Sequence, residues 1–323
     1  MTNHRAVVSA RGLVKRFGDV TALAGLDVEV RAGELFGLLG PNGAGKTTTI
    51  NILTGLARPD AGSFSIAGID CIRRPRAAQQ LIGVVPDESN LYPELTGSEN
   101  LRFCASLYGV SRREAADRAR ELLAAFGLAE ASERRFAGYS KGMKRKLTIA
   151  AGIIHRLPVL FLDEPTTGVD VQSARHIRRL VADLHRAGTT ILLTTHYIEE
   201  AERLCSRISF IVRGRVVRTD TVENLLEPVR GRQVLELEVG DRAEAGAELL
   251  ARADSETRFS TVGGNLVRAE STRPLAVGPL VRALEEADIE VTEARRVRPT
   301  LEEIFVDTTG LEAAALRREK EKK

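Results

Sequence analysis

The stretch FGLLGPNGAGKTTTINIL at residues 36–53 limits what this chain can fold into more than any other. A short apolar run with no alternation reads as a strand buried on both faces, the kind found in parallel sheets. It ends in a glycine-rich turn and continues into a helical pattern from about Lys46. The spacing Gly40, Gly45, Lys46, Thr47 is that of a phosphate-binding loop. Glycines let backbone amides converge on phosphate oxygens with no Cβ in the way. The helix that follows points its positive end at the same anion. Lys46 reaches toward β- and γ-phosphates, and the Thr47 hydroxyl is placed to ligate Mg²⁺. Asn42, Gly43, Ala44 and Thr48 complete the expected cradle. Strand, loop and helix in this order require an α/β core.

Two further apolar runs, VLFLD at 159–163 and TILLTTH at 190–196, end in polar residues and precede helical stretches. They supply more buried parallel strands. LVKRF and LDVEV, ahead of the loop, read as half-exposed antiparallel strands. Residues 93–152 are mostly helical, a helical insert beside the sheet. Near Glu227 and Pro228 the character changes. QVLELEV alternates strictly, RAEAGAELLARA has helical spacing, and RFSTV and NLVRAE flank Gly263-Gly264, a hairpin signal. PLAVGPLVRALEEA is again helical and IEVTEARRV returns to strand. The order strand, helix, strand, strand, helix, strand predicts a small α+β unit of ferredoxin-like type. The expected organisation is residues 1–228 as a nucleotide-binding domain, 229–310 as a small second domain and 311–323 as a solvated charged tail.

At the end of the second run, Asp163 and Glu164 emerge where ligands bind in α/β sheets, at the carboxyl ends of the strands. Asp163 can hold Mg²⁺ through water, and Glu164 can orient and deprotonate an attacking water. The same DEPTTG stretch is also good turn chemistry. The third run ends at His196, which can contact a γ-phosphate or hold the water.

Composition removes other classes. The net charge of +3 makes no case for nucleic acid, and aromatics at 4% with no tryptophan argue against base-stacking surfaces. Cys71, Cys104 and Cys205 are too scattered for a disulfide framework or a metal pair and read as buried reduced thiols. The N-terminal stretch lacks a secretory apolar region. No run approaches the ~18 apolar residues of a membrane span.

Residues 6–227 resemble the nucleotide-binding subunit of ABC transporters. The motif most specific to that family lies in YSKGMKRKL, 139–147, where members usually carry Leu-Ser-Gly-Gly-Gln. Ser140 and Gly142 match; Lys141 and Met143 depart from the common form, as drug-efflux ATPases often tolerate. The resemblance implies a P-loop NTPase of ABC type: a mixed sheet core, an antiparallel β subdomain and a helical insert. It implies ATP and Mg²⁺ as cofactors, and two subunits meeting head to tail. Ser140 and Gly142 of one copy then face the γ-phosphate held by the other. Phe17 matches the aromatic that stacks on adenine, and Asp170 the loop crossing between subunits. Asp87 stands where the family has a Mg²⁺-contacting Gln, with Glu88 as a neighbouring substitute. RPTLEEIFVDTTG at 298–310 is similar to the ends of daunorubicin-resistance and other export ATPases. The implied partners are a second ATPase subunit, expected as a homodimer, and a separate membrane-spanning permease, docked on the helical insert and Asp87 loop at the cytoplasmic face of the membrane. A soluble ABC ATPase acting on ribosomes or DNA is the alternative class, and a module without catalysis is a third. One cassette, and no coiled coil between cradle and signature, speak against the former. Intact Lys46, Asp163, Glu164 and His196 speak against the latter.

Overall fold

The structure, a computed structural model, describes residues 6–297 and 300–311. Arg298 and Pro299 of the RPTLEEIF stretch, and the tail from residue 312, lie outside the described residues.

Among the described residues two compact units divide the chain: residues 6–222 with 305–311, and the described residues between 223 and 304. In the first, β1 (Ala6–Phe17) and β2 (Val20–Arg31) form an antiparallel ribbon, followed by β3 (Leu35–Leu39) and α1 (Lys46–Leu53). After α1 come β4 (Ala61–Ile66), β5 (Ile69–Asp70), α2 (Pro75–Gln79) and β6 (Ile82–Val85). The helical stretch follows as α3 (Gly97–Leu107), α4 (Arg112–Ala125) and α5 (Lys141–Ile153). Then come β7 (Val159–Asp163), α6 (Val171–Arg186), β8 (Thr190–Thr195), α7 (Ile198–Leu204), β9 (Arg207–Val212) and β10 (Arg215–Thr221); α8 (Val222–Leu226) starts on the last residue of this stretch and continues into the second unit.

One sheet has the order β2-β1-β4-β5, with antiparallel pairs throughout. The other runs β10-β9-β3-β8-β7-β6; its pairs are parallel except β9 with β10, so it is a mixed sheet. Every residue of β3, β7 and β8 is buried, the condition their unbroken apolar runs predict. Phe36, Phe161 and Leu192 join Ile50 and Ile52 of α1 and Leu23, Leu26 and Val28 of β2 in one core. The helices start where their sequences cap them. Thr96 and Glu99 form a reciprocal capping box on α3, while Ser111 and Ser140 accept from the third helical amide of α4 and α5. Cys71 and Cys205 are buried and Cys104 half-buried; all three are free thiols.

The second unit contains β11 (Gln233–Glu238), α9 (Ala243–Ala253), β12 (Arg258–Val262), β13 (Leu266–Ser271), α10 (Val277–Glu285) and β14 (Glu293–Val297). Its antiparallel sheet runs β12-β13-β11-β14, and Gly263 and Gly264, both at positive φ, make the β12–β13 hairpin. Both central strands lie between neighbours, the arrangement of a split βαββαβ unit. Leu235, Leu237, Val267 and Ala269 pack with Ala247, Leu250 and Leu284 of the two helices. Helix α11 (Leu301–Thr309) closes the described chain, and its residues from Phe305 belong to the first unit. Phe305 is fully buried, with its ring edge-on to Phe210 of β9, 5.2 Å between centroids. The sequence pattern assigned these residues to the small domain; in the structure those from Phe305 cluster with the first unit, where Phe305 meets Phe210.

Candidate functional site

The loop between β3 and α1 holds its shape because glycine is obligatory at two points. A Cβ on Gly40 would lie 2.2 Å from the Ile211 carbonyl, and one on Gly45, at φ 106°, 2.6 Å from that of Ala22. Beside the loop lies a cleft of about 530 Å³. Its lining includes Asn42, Gly43, Gly45, Lys46, Thr47 and Thr48 from the loop, and Val20, Thr21 and Ala22 from β2. Asp87, Glu164, Thr167 and His196 line it from the ends of β6, β7 and β8. Ala44 of the same loop is buried. Phe17 is 55% exposed, so it is no core residue, and its cross-strand partner is the cleft residue Val20.

Lys46 donates to the carbonyls of Gly40 at 2.8 Å and Pro41 at 3.1 Å, and its ammonium lies 3.2 Å from Glu164 Oε1. The other carboxylate oxygen of Glu164 lies 2.8 Å from His196 Nδ1 and accepts from the Thr167 hydroxyl at 3.0 Å. Burial alone would raise the Glu164 carboxyl; the hydrogen bond to His196 and the charge of Lys46 override it and bring it down to about 2. Glu164 also sits at φ 48°, left-handed backbone that a residue with a Cβ adopts at a cost of about 1–3 kcal/mol. Its own N–H is held by Thr194, through the carbonyl at 3.2 Å and the hydroxyl at 3.1 Å.

Asp163 is buried behind this pair, and its Oδ1 accepts from the Thr194 hydroxyl at 2.5 Å. Burial raises the Asp87 carboxyl; Arg145 opposes this, while Asp163, Glu164 and Glu88 add to it. Hard oxygen donors (the Thr47 hydroxyl with the Asp87 and Asp163 carboxylates) suit Mg²⁺, which takes few protein ligands and leaves the rest to phosphate and water. Among the described residues no cluster of three His, Cys, Asp or Glu forms a metal cage.

Ser140, Gly142 and Asp170 do not line this cleft. They gather elsewhere, at the starts of α5 and α6. Ser140 Oγ accepts from Met143 N–H at 3.2 Å, and Asp170 Oδ1 caps α6 by accepting from Ser173 N–H at 2.8 Å. A Cβ on Gly142 would lie 2.3 Å from Ser173 Oγ and 3.4 Å from Asp170 Oδ2. The glycine there is required by close packing as well as by any anion its amide meets.

The residue that sequence reasoning missed is Arg145. It is buried and donates to four backbone carbonyls: Pro165 from Nε at 2.9 Å, Asp163 from Nη2 at 2.5 Å, and Asp87 at 2.9 Å and Pro86 from Nη1. In the run KRK nothing marks it off from solvated neighbours. Its one signal is position: it follows Gly142 by three and precedes Ile149 by four, on the inward stripe of α5.

The family model described as ABC transporter matches residues 23–167. The daunorubicin resistance ATP-binding protein DrrA3 of Streptomyces coeruleorubidus is 39% identical over 303 residues, 94% of this chain and 96% of the relative. The Nod factor export ATP-binding protein I of Burkholderia lata is 44% identical over 250 residues, 77% of this chain and 82% of the relative. Among solved structures, the ATP-binding subunit of an ABC transporter superposes with a TM-score of 0.63 at 32% identity, covering 69% of this chain and 92% of that one. A dimeric ATP-binding cassette in a post-hydrolysis state, bound to ADP and Pi, matches with a TM-score of 0.62 at 26% identity, over 67% and 98%. With its phosphate-binding loop, its carboxylates at the strand ends and these relatives, the chain belongs to the ABC transporter family as one of its ATP-binding, ATP-hydrolysing subunits.

Proposed function

We propose that two copies of this chain meet head to tail, hold two MgATP between them and drive the export of a small molecule through a separate membrane-spanning permease. The observation that carries the two-copy reading is the separation of the site residues. Lys46, Thr47, Glu164 and His196 share one cleft, while Ser140, Gly142 and Asp170 gather away from it. The export reading rests on relatives named for daunorubicin resistance and Nod factor export.

In this reading an entering phosphate competes with Glu164 for Lys46. Once Lys46 turns to the phosphate, the Glu164 carboxylate loses one of the two partners, His196 and Lys46, that weaken it as a base. His196 Nδ1 and the Thr167 hydroxyl keep it aimed, so it can take a proton from a water in line with the γ-phosphate. Mg²⁺, held by Thr47, Asp163 and Asp87, would supply the charge that neutralises the β- and γ-oxygens. Phe17 offers an exposed ring for the adenine. The Ser140 hydroxyl, the Gly142 amide and the α5 N-terminus serve the other copy's γ-phosphate.

Among the described residues no helix is long and apolar enough to cross a membrane; the permease of this proposal is a separate polypeptide. Its docking surface is the helical insert beside the Asp87 loop. There Tyr92 and Phe103 meet edge to face at 5.0 Å, and both they and Leu107 are exposed. The proposed organisation is an ATP-binding domain over 1–228 and a small regulatory or dimerisation domain over 229–310.

The test is Glu164→Gln with MgATP, followed by light scattering, beside wild-type hydrolysis over a dilution series. The expected outcome is a doubled mass for the variant and a wild-type rate per subunit that collapses on dilution. A rate per subunit that stays constant where only single copies exist would end the two-copy reading.

A further inference from the structure

We propose that Arg145 is a positioning residue that makes the two half-sites on one copy move as a unit. The inference rests on the two-copy reading above and adds to it the part that links one nucleotide to the other. The guanidinium ends on the carbonyls of Asp163 and Pro165, which flank Glu164 on both sides, and on those of Pro86 and Asp87. It is carried by α5, the helix whose N-cap is Ser140 and whose first turn holds Gly142. One side chain therefore fixes three things together: the backbone around the base, the loop carrying Asp87, and the helix that meets the partner's phosphate. Thr148, one turn further along α5, adds a second tie, with its hydroxyl 2.8 Å from Ser89 Oγ in the same loop.

The chemistry favours an all-or-none link. Arg145 is only 6% exposed, so a carbonyl that drifts away leaves a buried N–H with no water to replace it. Its fan of donors is planar and rigid. A movement of the Asp87 loop is thus passed to α5 or breaks several bonds together. Lysine cannot do the same, because a compact ammonium with three donors does not span carbonyls from two segments. By linkage, the effect is reciprocal: nucleotide in a copy's own cleft sets the position of its α5, and nucleotide against α5 sets the geometry of its Glu164.

The experiment compares full-length wild type with Arg145→Lys and Arg145→Gln. Three quantities are measured: TNP-ATP affinity without Mg²⁺, the ATP dependence of hydrolysis, and thermal unfolding. The expected result is TNP-ATP affinity within about two-fold of wild type, kcat lowered about ten-fold or more, and a Hill coefficient falling from well above 1 to about 1 in both variants. Lysine, which keeps the charge, should not rescue. A kcat that falls while the Hill coefficient stays at the wild-type value overturns the proposal, as does full rescue by lysine. Loss of cooperative unfolding in both variants also overturns it, since the role is then stability alone. A wild-type Hill coefficient of 1, with a rate per subunit indifferent to dilution, would instead remove the two-copy reading beneath it.

Discussion

Glu164 is held by its own backbone strain, by Lys46 and by His196, and each hold has a measurable counterpart. As the proposed base, its replacement by glutamine should leave ATP binding in place and slow hydrolysis about 10²- to 10⁴-fold, read from steady-state phosphate release. The same carboxyl gives a pH signature in stability. Its folded value of about 2 lies below the ordinary 4.5, so the folded state binds this proton less readily than the unfolded chain. The stabilisation is complete above about pH 4.5 and is lost as pH falls toward 2, on the order of 3 kcal/mol in all. Urea unfolding at pH 6, 4 and 3 should show wild type weakening on acidification, with a shallower slope in Glu164→Gln. Phe17 makes the opposite kind of prediction. Because its ring is exposed, Phe17→Ala should leave the melting temperature unchanged. Losing a stacking partner should weaken ATP binding about ten-fold, measured by fluorescence titration.

At the scale of elements, the starts of α5 and α6 decide two roles that one residue combines. Asp170 both caps α6 and is the proposed cross-subunit contact. Asparagine caps about as well as aspartate, so Asp170→Asn should hold its stability yet lose turnover if the carboxylate reaches across. Asp170→Ala should additionally cost about 1 kcal/mol, seen as a lower urea midpoint. Gly142→Ala should push α5 and α6 apart, since Ser173 Oγ stands 2.3 Å from the new carbon, and turnover should fall more than stability. The elements themselves were legible for a physical reason. Strands β3, β7 and β8 are buried on both faces, so nothing polar interrupts their runs. The β12–β13 hairpin was legible because a two-residue hairpin turn needs positive φ at its centre, which Gly263 and Gly264 adopt with no steric cost. Arg145 was not legible, because a charge inside a basic run carries no local mark of burial; only the packed helix shows which of three cations faces inward. The close packing under Gly142 was equally hidden, being set by Ser173, thirty-one residues downstream.

At the scale of the molecule, three strands of the first unit's mixed sheet and two of its antiparallel sheet followed from pattern, but their remaining strands and the way the chain returns to that unit did not. LEEIF reads as the end of the small domain, and its helical spacing alone does not say which core receives Phe305. The aromatic pair with Phe210 is the deciding contact, and it is long-range in sequence. Phe305→Ala should therefore destabilise the first unit by roughly 3–5 kcal/mol, the usual cost of emptying a buried aromatic site. Limited proteolysis should then cut within residues 6–222 rather than only within the small unit. Unchanged resistance there would show that the ring pair is incidental.

That contact also sets a timetable for biosynthesis. A ribosome delivers β9 about ninety-five residues before it delivers Phe305. At translation speeds of about 5–20 residues per second, the larger unit spends roughly 5–20 seconds with Phe210 lacking its mate. The smaller unit is synthesised wholly within that interval, so it has the chance to fold before its elder neighbour is finished.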